Sequence, residues 1–204
     1  MADKIKAATA DSLQAFKSFA LNPVGELANV YNSLGEARAL AVGITFGVVS
    51  ALCFVVGGII GAWHAPEFMR PSGGWYFKLF IFAFIPMVTT TASSFAARKI
   101  FRSEGPLAMD AFIAGASMLP FAFVRLVTSV FSSLPLGVTG FLVIFVGSLT
   151  VLILFFGFLR IAKLSECVCT LVVPLVMTVS IWLTFILYNH LLDSGVGFGG
   201  GVGN

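Results

Sequence analysis

Charge is scarce in this chain of 204 residues: Lys, Arg, Asp and Glu make up 10% of it, against about a quarter in soluble globular domains. So few charges cannot solvate a globular surface, which excludes a soluble fold. Cysteine is rare as well. Cys53, Cys167 and Cys169 are too few for the disulfide framework of a small secreted domain, and reduced thiols are expected. Two histidines, His64 and His190, leave little material for metal sites or general bases. The 12 basic residues sit in discrete segments and never alternate with aromatics along one face, so a nucleic-acid platform is excluded.

Apolar residues fill the space that charge leaves, at 58% of the chain with 22 Phe. A bilayer core takes about 20 consecutive apolar residues per helix, and the pattern predicts five such spans at 39–63, 75–97, 107–132, 138–159 and 170–192. The expected fold is an all-α integral membrane protein: five transmembrane helices preceded by a short amphipathic N-terminal helical segment (1–38) and followed by a Gly-rich tail (193–204). The first span exceeds about 30 Å of hydrocarbon and implies tilt. It lies too far from Met1 and is too long for the apolar region of a cleaved signal peptide.

Positively charged short loops stay cytoplasmic, which sets the orientation. Lys4, Lys6, Lys17 and Arg38 precede the first span, Arg98, Lys99 and Arg102 follow the second, and Arg160 and Lys163 follow the fourth. The three segments share one side, so the expected topology has the N-terminus in the cytoplasm and the C-terminus outside. Ahead of the first span, Ile5, Ala8, Leu13, Phe16 and Phe19 recur at helical spacing among lysines, as in a helix lying on the membrane surface. Asn22-Pro23 reads as an N-cap with Pro at the first helical position, opening a second short helix that stops near Gly35.

Small residues mark the expected helix contacts. Ala39, Gly43, Gly47 and Ala51 recur at every fourth position, and Gly57 pairs with Gly61, so the first span offers a smooth stripe to another backbone. The run 89–94, which includes Ser93, and the run 114–117, which includes Gly115 and Ser117, are expected to pack on each other. The fourth span, almost wholly Leu, Ile, Val and Phe, is expected to face lipid or a partner subunit. Pro86, Pro120 and Pro174 each remove a backbone donor inside a span, and kinks are expected there.

Arg125 is the charge placed inside a span, where a guanidinium at mid-depth costs about 2.5 to 3.5 kcal/mol. It lies about two turns from the outer end of its helix, which leaves two roles open: snorkelling or a structural hydrogen bond, and a partner or anion contact. Catalytic signatures are poor. Gly115-Ala116-Ser117 is similar to the Gly-x-Ser of intramembrane serine proteases, but both histidines fall at the opposite ends of their helices, so no dyad closes. His64 with Glu67 and His190 with Asp193 lack the local spacing of a metal site, and Cys167-Val168-Cys169 lacks a wider ligand set. No cofactor, metal or catalytic residue is predicted.

Several stretches together are similar to bacterial members of the Yip1-domain family. They are Asn22-Pro23-Val24-Gly25, the run 34–40 entering a Gly-rich first span, and Arg102-Ser103-Glu104-Gly105-Pro106 before a third span with Met118-Leu119-Pro120. Leu164-Ser165-Glu166 before a fifth span with Pro174 completes the resemblance. It implies a five-span protein with a cytosolic N-terminus, in a bacterial cytoplasmic membrane; eukaryotic relatives act in vesicle traffic, using a longer N-terminal domain than the segment seen here. The expected function is non-enzymatic: a membrane-organising or trafficking-type scaffold, or an accessory subunit of a larger membrane assembly. The alternative is a small transporter or channel subunit. Expected partners are the lipid bilayer and other membrane proteins or further copies of the chain, with no nucleic acid.

Overall fold

A computed structural model describes Leu13, Lys17 and residues 21–63, 73–131 and 134–191. The described residues form five helices: α1 (Leu27–Trp63), α2 (Gly73–Ile100), α3 (Leu107–Val130), α4 (Leu136–Arg160) and α5 (Glu166–Leu191). Each is long and apolar enough to cross a membrane. The shortest, α3, has 24 residues and at 1.5 Å per residue covers about 36 Å, more than a hydrocarbon core of about 30 Å. The predicted surface helix upstream of Leu21 lies almost wholly outside the described residues.

Local chemistry sets where the helices break and turn. Gly35 interrupts α1 with φ 69° and ψ 170°, a backbone state open to glycine and strained for other residues. The segment before it therefore folds in a different direction from the long helix after it. Upstream, the Asn22 side chain accepts the Gly25 N–H at 2.9 Å, an N-cap-like bond. At the end of α2, Ser103 N–H reaches the Arg98 carbonyl at 3.0 Å and Arg102 N–H the Lys99 carbonyl at 3.2 Å, the bond pair of a Schellman turn. Its left-handed position is held by Arg102 (φ 56°), and after α4 the same conformation falls to Lys163 (φ 53°). Extended Pro106 and Pro135 then open α3 and α4.

The α1 and α3 helices pack most extensively on each other and form the centre of the bundle. Helix α2 lies against both and also carries α5, while α4 packs on α3; α4 and α5 touch only sparsely. Packing is uneven along the bundle axis. The hydrophobic core gathers at the end where α2 turns into α3 and α4 into α5, around Phe46, Phe112, Ile113, Ile153, Phe158 and Val172. In α3 every residue from Ala108 to Ser117 is buried, whereas the second half is mostly part-buried or exposed. Helix α4 buries one stripe, Val146, Thr150, Ile153, Leu154, Gly157 and Phe158, and exposes large residues such as Phe141, Ile144 and Phe145 on the other side.

Candidate functional site

Two features stand out among the polar groups. The first is a charge pair sealed inside the densely packed end. Arg98 sits in the last turn of α2 and Asp110 in the first turn of α3, so each charge complements the dipole of its own helix. The six-residue turn between the helices folds them face to face. Arg98 Nε donates to Asp110 Oδ1 at 3.0 Å and Nη2 to Oδ2 at 2.6 Å, a bidentate pair with both side chains fully buried. The remaining donors serve the turn itself: Nη1 donates to the Ser103 carbonyl at 3.1 Å, and Nη2 also reaches the Gly105 and Pro106 carbonyls at 3.2 and 3.3 Å. Gly105 has φ 142° and lies so close that a Cβ there would fall 3.3 Å from Arg98 Nη1 and 2.7 Å from Met109 Cε.

This staple fixes the turn that carries Arg102 and Glu104. Ser103 Oγ then ties it to the neighbouring turn by donating to the Ala162 carbonyl at 2.9 Å. A shallow polar depression lies between the two turns, bordered by Tyr31, Arg102, Glu104, Lys163 and Ser165. Further cations at this end lie over phenylalanine rings of their own helices: Lys99 over Phe95 (5.4 Å) and Arg160 over Phe156 (4.8 Å).

The second feature is a cavity of about 590 Å³ beyond the dense core, with walls from all five helices. Phe54, Leu79, Phe82, Phe121, Met118 and Met177 make it apolar, and no charged side chain among the described residues lines it. Its polar groups are hydroxyls. Tyr188 Oη donates to the Phe82 carbonyl, the acceptor that Pro86 leaves without its usual helical donor, and the two rings meet edge to face at 4.8 Å. Thr89 and Thr184 hydroxyls pair at 2.8 Å, and Thr150 Oγ1 donates at 3.1 Å to the Ser117 carbonyl, one turn before Pro120. Ser50 and Ser180 line the cavity with their hydroxyls buried and unpartnered among the described residues.

The residues singled out in the sequence are distributed as follows. Gly43 and Gly115 meet each other: a Cβ on Gly115 would overlap the Gly43 carbonyl, and one on Gly43 would fall 2.6 Å from the Ala111 carbonyl oxygen. Gly47 faces Met87 and Phe84 of α2, and Gly57 faces Ser129 and Arg125 of α3; around Gly61 nothing lies within 4 Å of a Cβ position. Ser93 and Ser117 turn back on their own helices, donating to the Thr89 and Ala114 carbonyls. Gly115 packs on α1 and Thr89 bonds Thr184 of α5, while the helices that carry the two small-residue runs also lie against each other. Arg125 is exposed, and its guanidinium makes no hydrogen bond or ion pair with the described residues. Pro86 lines the cavity, while Pro120 is part-buried and Pro174 exposed, all three within continuous helices.

No group of three or more metal-ligating side chains occurs among the described residues; His64, Glu67 and Asp193 lie outside them. Cys169 is buried with its thiol toward the Leu164 carbonyl at 3.8 Å, and Cys167 is exposed. Sequence reasoning missed the Arg98–Asp110 pair because Arg98 reads as one more cation of a positive loop. The signal that could have found it is opposite charges in the last and first turns of two helices joined by a short Gly-Pro turn. No family model matches the chain, and no curated protein or solved structure is significantly similar to it.

Proposed function

We propose that this is a non-enzymatic multi-pass membrane protein that works by contact, as a membrane-organising or trafficking-type scaffold or as an accessory subunit of a larger membrane assembly. The observation that carries the reading is the Arg98–Asp110 staple. It commits the buried charges to building one rigid end, and that end presents Arg102, Lys163 and Arg160 beside long apolar helix faces. By the positive-inside rule this end faces the cytoplasm and the Gly-rich tail lies outside. The exposed Trp63 and the Trp75–Tyr76 pair at the other end suit the opposite headgroup region. The trafficking-type part of the reading rests on the resemblance to the Yip1-domain family, whose eukaryotic members act in vesicle traffic.

Affinity purification after mild solubilisation tests the reading. The full chain should retain a defined membrane partner or further copies of itself, and reversing the platform with Arg102→Glu and Lys163→Glu should release them while the bundle stays folded. A chain that is monodisperse and partner-free, with a double variant indistinguishable from it, would sink the proposal. Orientation is tested by cysteines at Gly199 and Arg102: an impermeant reagent added outside should label the first and reach the second only after the membrane is opened.

The second reading, a small transporter or channel subunit, has one observation in its favour, the cavity beside Pro86 at the centre of the bundle. Liposomes containing the protein decide between the two. A reproducible ion or proton flux lost in Arg125→Leu would favour transport; flux equal to that of empty vesicles supports the contact role.

A further inference from the structure

Hydroxyls on the helices of this bundle mostly find a partner in their own backbone. Thr45, Thr91, Ser93, Ser129 and Ser148 each donate to the carbonyl four residues back, at 2.7 to 3.0 Å. Ser50, Ser94 and Ser180 do neither this nor anything else among the described residues, although they are only 3%, 0% and 6% exposed. Of the three, Ser50 and Ser180 line the 590 Å³ cavity, on α1 and α5. Burying a hydroxyl without a partner is unfavourable, and a partly open apolar cleft of this size leaves its walls without packing partners unless something fills it. The dense packing at the turn end, where Ile113, Ile153 and Phe158 expose no surface, shows that this chain can fill its interior.

The volume falls in the range of about 300–1,000 Å³ typical of small-molecule sites. The walls specify the chemistry. With no charged side chain among the described lining residues, these walls leave an ionised ligand unpaired, whereas phenylalanines and the adaptable Met118 and Met177 suit hydrocarbon. Two free hydroxyls suit a carbonyl. Water alone is a poor filler, since each buried molecule needs about two to four polar partners. Ile181 lines the cavity and is also 65% exposed on the outside of the bundle, so the space reaches the surface along α5, on the helix that touches α4 only sparsely.

We propose that this cavity binds one neutral hydrocarbon molecule bearing a carbonyl, held by Ser50 and Ser180 and admitted sideways along α5. The site stands independently of the scaffold reading. Two sources share that chemistry, an ester-linked chain of a bilayer lipid and a free neutral ester or ketone.

Photolabelling of the full-length protein in nanodiscs tests it with three probes carrying a mid-chain diazirine: methyl hexadecanoate, phosphatidylglycerol with one such chain, and a hexadecane without a carbonyl. The methyl ester should label the stretches around Ala83 and Ser180 saturably, and in preference to the alkane. Ala83→Trp should block labelling by filling the cavity. Ser50→Ala with Ser180→Ala, which leaves the volume intact, should lower ester labelling about fivefold and leave the alkane unchanged. Saturable labelling by phosphatidylglycerol assigns the occupant to the bilayer, and labelling by the free ester alone assigns it to a diffusible molecule. Unsaturable labelling spread over Phe141 and Ile144 of α4, untouched by Ala83→Trp, would overturn the site. Equal labelling by ester and alkane in the unaltered protein would overturn the role of the hydroxyls.

Discussion

The two ends of the bundle are built from the same small, hydroxyl and apolar residue types and treat them oppositely. At the turn end, Gly43 and Gly115 bring the α1 and α3 backbones into contact, and the one fully buried ion pair among the described residues has each of its charged groups matched. Toward the middle and the far end, Ser50 and Ser180 keep unmatched hydroxyls beside an open space, and Arg125 stands exposed. One difference lies in what the glycines meet: Gly43 and Gly115 meet backbone, whereas Gly47 and Gly58 meet side chains. Satisfaction at the turn end is not complete, since the fully buried Ser94 hydroxyl, one turn before Arg98, finds no partner among the described residues. What the other half adds is room beside its unmatched hydroxyls that another molecule can use.

The largest break in that comparison should come from the ion pair. Asp110→Ala leaves the Arg98 guanidinium buried with carbonyls alone, and removing one partner of a buried pair costs about 3–5 kcal/mol. The unfolding midpoint of Asp110→Ala in mixed detergent and SDS micelles should fall accordingly. A shift of less than about 1 kcal/mol would mean that the pair is solvated and that the end is not sealed.

Next in size is Gly115→Ala, which places a methyl group on the Gly43 carbonyl and must push the α1 and α3 backbones apart, at a cost of about 2–3 kcal/mol. Gly47→Ala meets Met87 Sδ and the Phe84 ring edge, flexible side chains that can yield, so it should cost less. Gly61→Ala should run the other way. With nothing within 4 Å, a methyl group there brings only helix propensity and should stabilise by about 0.5–1 kcal/mol. Equal losses in all three variants would show that the glycine stripe does not discriminate between seam and surface.

How much of this is legible in the sequence depends on the range of the interaction. The five helices follow from local composition, since runs of Leu, Ile, Val and Phe broken at Gly-Pro or Ser-Glu turns leave few other ways to satisfy a backbone in lipid. The small-residue stripe of the first span is visible as a face, but periodicity names a face and not its neighbour. Gly43 and Gly61 look alike in sequence; one meets a backbone and the other open space. The Thr89–Thr184 and Tyr188–Phe82 bonds join residues 95 and 106 positions apart, a pairing set by which helix lies beside which. The cavity is illegible for the same reason, because it is what remains once five helices have chosen their neighbours.

The smallest expected effect sharpens the comparison most. Ser50→Ala and Ser180→Ala each remove a buried hydroxyl that makes no bond with the described protein, whereas Thr150→Val removes one that bonds the Ser117 carbonyl. A net hydrogen bond is worth about 0.5–1.5 kcal/mol, so Thr150→Val should destabilise by about 1 kcal/mol. The serine variants, measured in detergent stripped of lipid, should be neutral or slightly stabilising, because no bond is lost and an unmet polar group is gone. If the cavity holds a carbonyl ligand in the native membrane, the sign reverses there: in nanodiscs made with native lipid both serine variants should unfold more readily than the unaltered protein. Identical behaviour in the two media would mean that Ser50 and Ser180 face nothing in either.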